Sequence, residues 1–251
     1  MRKGWQVFPF ERSVADWAAA ALGRGREAVA APEFAQWHQC EGTWFVGVDA
    51  LPNDASGAVD GVPLRGAARD AADALFGPLA LHRAQLSVIY AGYPRPRKGE
   101  GEAAFRFRQK RDAAHLDGLR PSAARRRFME EYHGYILGIP LTQSAQSPMV
   151  VWEGSHLVFQ KMLREAFADR PAARWHEVDL TDVYKATRAE IFETCQRVEL
   201  RASPGEAYLV HRFALHGVAP WDEGAKAGPD GRMIAYFRPE LPDRGLWLNA
   251  P

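Results

Sequence analysis

The chain has 251 residues, 47% hydrophobic and 25% charged, with 13 Phe and 8 Trp; such a make-up supports a sizeable core and excludes a disordered polypeptide. A formal net charge of +1 provides no global field to attract nucleic acid or an anionic membrane. Two cysteines, Cys40 and Cys195, are too few and too far apart for a disulfide framework or a Cys-rich zinc site, and point to a reducing, cytoplasmic setting.

Near the N-terminus, Glu11, Arg12 and Asp16 interrupt any apolar stretch long enough for a secretion signal, and no later run reaches membrane-spanning length. Residues 13–22 and 65–76 are expected to form helices packed outside a strand core. Strands are expected at 86–93, 104–109, 134–141, 148–153, 196–201, 206–211 and 232–238, each short, bounded by breakers and enriched in β-branched or aromatic residues. Between them, Phe159, Met162, Leu163, Ala166 and Phe167 recur at helical spacing in 158–167, and a second helix spans 182–194 with Thr181 as its N-cap. So many short strands suggest a sandwich or barrel. One domain is expected over 1–251, with 1–80 as a helical and loop elaboration and 81–240 as the strand core.

The chemistry concentrates in two places. In His115-Leu116-Asp117 the outer residues are two apart, so in an extended strand both side chains leave the same face and one cation can touch both. The downstream run from Glu206 to Pro220 adds His211 and His216. These two are five apart, so in one continuous strand they face opposite sides, and His211 reads as a surface or core histidine with a satisfied hydrogen bond. Two imidazoles and one carboxylate on one side of Fe(II) leave three positions for a chelating cosubstrate and O2, whereas a closed structural zinc site wants four protein ligands.

Four segments follow one another in order: His115-Leu116-Asp117, Val151-Trp152-Glu153-Gly154-Ser155-His156, Leu215-His216-Gly217-Val218-Ala219-Pro220, and Gly231-Arg232 opening a final apolar run. On these, residues 92–239 resemble the phytanoyl-CoA dioxygenase-like branch of the Fe(II)/2-oxoglutarate-dependent oxygenases. The resemblance implies an all-β core with peripheral helices in the double-stranded β-helix arrangement, a cupin-like jelly roll. It implies His115, Asp117 and His216 as iron ligands. It also implies Arg232 as the clamp on the distal carboxylate of 2-oxoglutarate, with Arg238 in reserve. Guanidinium suits that role because it is planar, bidentate and permanently charged. Arg232 lies further beyond His216 than is usual, which is explained if residues 221–231 form an enlarged turn between strands. The implied cofactors are Fe(II) and 2-oxoglutarate, and the implied reaction consumes O2, oxidises a small organic substrate and releases succinate and CO2. Related halogenases replace the ligand carboxylate with a small neutral residue, so Asp117 favours hydroxylation or desaturation.

Tyr90, Tyr93, Gln143 and Trp152 are expected to line the substrate pocket. Ser155 and His156 form a turn that caps the following helix or supports a metal ligand from behind. Arg106, Arg108, Lys110, Arg111, Arg120, Arg125, Arg126 and Arg127 concentrate positive charge around the first motif. Alternation in Phe105-Arg106-Phe107-Arg108 makes a solvated sheet face the simplest reading, and a mouth that attracts an anionic substrate the functional one. Residues 92–101 read as a surface loop placed to act as a lid. Two other classes compete: a metal-binding jelly-roll hydrolase or isomerase with the same three ligands and no need of Arg232, and a non-enzymatic module holding an anionic ligand on the arginine-rich face.

Overall fold

The computed structural model describes residues 1–226 and 228–250. In chain order the strands are β1 (Trp5–Phe8), β2 (His38–Gln39), β3 (Trp44–Gly47), β4 (Gln85–Ile89), β5 (Leu119–Pro121), β6 (Arg127–Met129), β7 (Tyr135–Pro140), β8 (Met149–Trp152), β9 (Arg197–Leu200), β10 (Ala207–His211), β11 (His216–Val218) and β12 (Arg232–Phe237). The helices are α1 (Arg12–Ala30), α2 (Ala67–Phe76), α3 (Glu102–Lys110), α4 (Ser155–Phe167), α5 (Thr181–Thr194) and α6 (Arg244–Asn249).

A seven-stranded sheet, in the order β1-β10-β7-β12-β4-β3-β2, lies against a three-stranded one, β11-β8-β9, with a small β5-β6 hairpin beside them. All named pairings are antiparallel. The period of two in each strand sorts the side chains into layers. Ile136, Tyr208, Val210, Ile234 and Tyr236 from the large sheet meet Met149, Val151 and Leu200 from the small one. The intervening residues Leu137, Ile139, Leu209, Met233, Ala235 and Phe237 point the other way, against Trp17, Ala18 and Ala21 of α1 and Ala68 and Ala72 of α2. On the far side, Val150 and Trp152 of β8 pack under Phe159 and Leu163 of α4 and Tyr184 and Ile191 of α5. The result is a jelly roll with helices on both outer faces.

Four expectations are corrected. Residues 104–109 are helical, within α3, rather than a strand. Arg108 turns inward to donate to Glu100 and approaches the Cys40 thiol, while the guanidinium groups of Arg108 and Arg188 cover the Phe105 and Phe107 rings; these contacts outweigh the alternation. The N-terminal third is not only helix and loop, since β1 pairs with β10 and β3 with β4, so the sheet extends beyond 81–240. Helix α1 runs past Gly23 and Gly25 to Ala30; at Gly25 a Cβ would come within 2.7 Å of the Met233 sulfur of β12, so glycine there eases the close approach of helix and sheet. Thr181 is not an N-cap but the first residue of α5; Asp179 accepts hydrogen bonds from its amide and hydroxyl, and its own oxygen accepts from the Arg127 amide. Among the described residues, no helix is long and apolar enough to cross a membrane.

Candidate metal centre

Strand β11 carries His216 into the space between the sheets, and its entry is fixed at Leu215 from both sides. The Leu215 amide donates to the Ser155 hydroxyl at 2.9 Å and its carbonyl accepts from the Trp152 amide at 3.0 Å. Gly154, with φ +83°, makes the turn that brings Ser155 there. His115 joins β11 through a bridge of two backbone hydrogen bonds, His115 amide to His216 carbonyl at 2.8 Å and the reverse at 3.1 Å. Asp117 is not on a strand but in the turn that follows, and still converges with His115.

The two rings lie 4.5 Å apart between centroids. His115 Nδ1 is 3.1 Å from the Ala113 carbonyl and His216 Nδ1 is 2.9 Å from that of Ala214, so each donates from Nδ1 and keeps the Nε2 lone pair. Asp117 Oδ1 stands 3.2 Å from His115 Nε2 and 3.6 Å from His216 Nε2, and the three donor atoms lie within 4.8 Å of one another. Three such donors on one side suit a divalent transition metal with open positions. Burial by itself would raise the Asp117 pKa, but neighbouring positive charge, first of all the Arg238 guanidinium, outweighs it and holds the carboxyl well below its ordinary range. Arg238 Nη1 is 3.3 Å from Asp117 Oδ2, and the Arg238 amide donates to His82 Nε2 at 2.9 Å.

The centre opens on a cavity of about 640 Å³ that combines apolar walls from Trp44, Val46, Ile136 and Met149 with polar groups from Glu131 and His133. Arg232 shares its face of β12 with Tyr236 and Arg238, which border the cavity, but does not itself border it and is only 3% exposed. Its Nη2 lies 3.4 Å from the Tyr236 hydroxyl, which accepts from the Tyr208 hydroxyl at 2.8 Å. Arg232 Nη1 is buried without a hydrogen-bond partner, and no carboxylate among the described residues forms an ion pair with this guanidinium. A buried cation with an unspent donor beside two hydroxyls has the chemistry to pair with a carboxylate.

Tyr90, Tyr93, Gln143 and Trp152 do not border this cavity. Tyr90 lies beyond the end of β4, whose cavity-facing residues are Gln85 and Ser87. Tyr93 is buried edge-on behind Trp44 at 5.8 Å, Gln143 donates to Ser203 on the outside, and Trp152 points to the helix side of β8, edge-on to Phe192. For Trp152 the strand alternation decides, because Met149 and Val151 take the interior positions. His211 lies tilted against His156, with ring centroids 4.8 Å apart, and accepts from the Phe213 amide, outside the donor cluster. Burial and Arg212 push its pKa down to about 2, and burial brings His156 down to about 4. The arginine-rich segment does not form a basic mouth. Arg106 pairs with Glu102, Arg108 with Glu100 and Arg126 with Asp179; only Arg120 borders the cavity, and Glu131 neutralises it. Tyr236 was findable from its spacing with Arg232, whereas Trp44, His82 and Tyr208 had no motif to mark them.

No protein-family model matches the sequence, and no curated protein is significantly similar to it. Similar solved structures include EctD from S. alaskensis with bound Fe, 16% identical over 94% of this chain and 72% of that one, with a TM-score of 0.47. The non-heme alpha-ketoglutarate-dependent carbocyclase SnoK from nogalamycin biosynthesis is 16% identical over 100% of this chain and 88% of its own, with a TM-score of 0.48. AviO1 from Streptomyces viridochromogenes Tue57 is 16% identical over 100% and 92%, with a TM-score of 0.45. In its own geometry the chain is a jelly roll with a His-Asp-His donor set at the edge of a cavity.

Proposed function

We propose that the chain is a non-haem Fe(II)- and 2-oxoglutarate-dependent dioxygenase that hydroxylates a small organic substrate and releases succinate and CO2. The observation that carries this reading is the convergence of His115 Nε2, Asp117 Oδ1 and His216 Nε2 at one cavity wall, the two imidazoles oriented by the Ala113 and Ala214 carbonyls. Bound iron would supply O2 activation and C–H oxidation, coupled to decarboxylation of 2-oxoglutarate.

The chain's own residues do the rest. His115, Asp117 and His216 would hold the metal. Arg232, with the Tyr208 and Tyr236 hydroxyls, receives the distal carboxylate of 2-oxoglutarate, while Arg238 steadies the Asp117 carboxylate. Trp44, Val46, Ile136 and Met149 keep water from the reacting C–H bond. A hydrolase or isomerase would need the three ligands only; the unspent donors of buried Arg232 favour the oxygenase. Retention of Asp117 favours hydroxylation over halogenation.

Anaerobic protein loaded with Fe(II) and 2-oxoglutarate is expected to develop a weak visible charge-transfer absorption that is lost in His216→Ala. A well-folded, metal-loaded protein without that band sinks the oxygenase reading and leaves the hydrolase or isomerase.

A further inference from the structure

The turn that delivers His115 is held by an ion pair outside the donor set. Asp112 and Ala113 have φ +52° and +54°, left-handed values that cost non-glycine residues energy and persist only where neighbours enforce them. The enforcement is visible. The Asp112 carboxylate, 6% exposed, accepts from Arg197 Nε and Nη2 of β9, both at 2.8 Å. The Asp112 carbonyl accepts from the Val218 amide at 2.8 Å. That carbonyl lies so close over β11 that any side chain at Gly217 would overlap it. One residue thus ties the His115 turn to β9 through its side chain and to β11, the His216 strand, through its backbone.

We propose that the Asp112–Arg197 pair is a positioning device for the metal centre, setting the separation and tilt of the His115 and His216 rings. This rests on the reading of those histidines as metal ligands. Neither Asp112 nor Arg197 lines the cavity or belongs to the donor cluster, so both act through the ligands. With the pair intact, the left-handed turn stays closed and His115 remains bridged to His216. Without it, the turn relaxes toward ordinary dihedral angles and His115 draws away, while Asp117 is still held by Arg238.

The test uses Co(II) as a spectroscopic probe in the full chain, with Arg197→Met, Arg197→Lys and the parent compared. Arg197→Met keeps much of the bulk of this partly exposed side chain and removes its charge. Co(II) affinity is expected to fall about 10- to 100-fold, as is typical when the support behind a metal ligand is lost. The ligand-field absorption of bound Co(II) should shift in position and intensity, and Arg197→Lys should restore affinity and spectrum in part. A merely structural pair would lower the urea midpoint and leave both the Co(II) affinity and spectrum of the folded protein unchanged; that outcome overturns the proposal. Failure of the parent to bind Co(II) would instead remove the metal-site reading, and the proposal with it.

Discussion

Arg232→Met should change two properties in opposite directions. The guanidinium is 3% exposed, its Nη1 has no hydrogen-bond partner and, among the described residues, no carboxylate pairs with it. An unsatisfied buried polar group costs about 1–3 kcal/mol, and more when charged. Methionine fills a similar volume without that cost, so the variant should be more stable than the parent by about 1–3 kcal/mol without ligand, offset in part by the lost contact with Tyr236. For a chain of this size each kcal/mol moves Tm by about 2–4 °C. Binding of 2-oxoglutarate should weaken by about 2–5 kcal/mol, the usual loss on truncating one member of a buried hydrogen-bonded charge pair, which is about 30-fold or more in Kd. Calorimetric titration of 2-oxoglutarate into Mn(II)-loaded protein measures the second effect, and thermal melts of metal-free protein the first. A variant that melts lower than the parent and binds 2-oxoglutarate equally well would show that Arg232 is a structural cation.

Arg238→Met separates the two arginines: it should weaken Mn(II) binding, because Asp117 loses its 3.3 Å partner, and reduce 2-oxoglutarate affinity less than Arg232→Met does. A larger loss of 2-oxoglutarate in Arg238→Met would exchange their roles. Gly138→Ala drives a methyl group into the Tyr208 ring, so it should cost about 1–3 kcal/mol in urea unfolding and also loosen 2-oxoglutarate. His211 and His156 have folded pKa values of about 2 and about 4, both depressed. The unfolded chain therefore takes up their protons first: their stabilisation is complete above about pH 6.5 and is lost as pH falls toward the folded values. Between pH 7 and 5 the metal-free protein should lose about 2 kcal/mol for each of these two histidines. Equal urea midpoints and slopes at the two pH values would refute their burial as neutral rings.

The sequence by itself marked His115, Asp117 and His216 as candidates through short motifs, and most of the strands, whose signals are local. His115 and Asp117 share a short motif, and β7, β8, β9, β10 and β12 show the short length, bounding breakers and β-branched or aromatic enrichment of strands. It also placed Arg232 at the head of its strand. Where local pattern and tertiary contact competed, contact won. The Phe-Arg alternation at 105–108 reads as a strand, yet Arg108 pairs from within α3 with the partly buried Glu100 carboxylate. Trp152 and Tyr93 are aromatic residues near the motifs, but the parity of β8 and the edge packing behind Trp44 turn them away from the cavity.

Only the tertiary structure decided the rest: that Trp44 and His82 from the N-terminal third complete the cavity, that Tyr208 and Tyr236 meet Arg232, and that Asp112 reaches Arg197 across the small sheet. The physical reason is sequence separation. A motif records residues that one element holds on one face, whereas these contacts join elements brought together by hydrophobic burial between the two sheets, and nothing in either partner's neighbourhood along the chain announces the other.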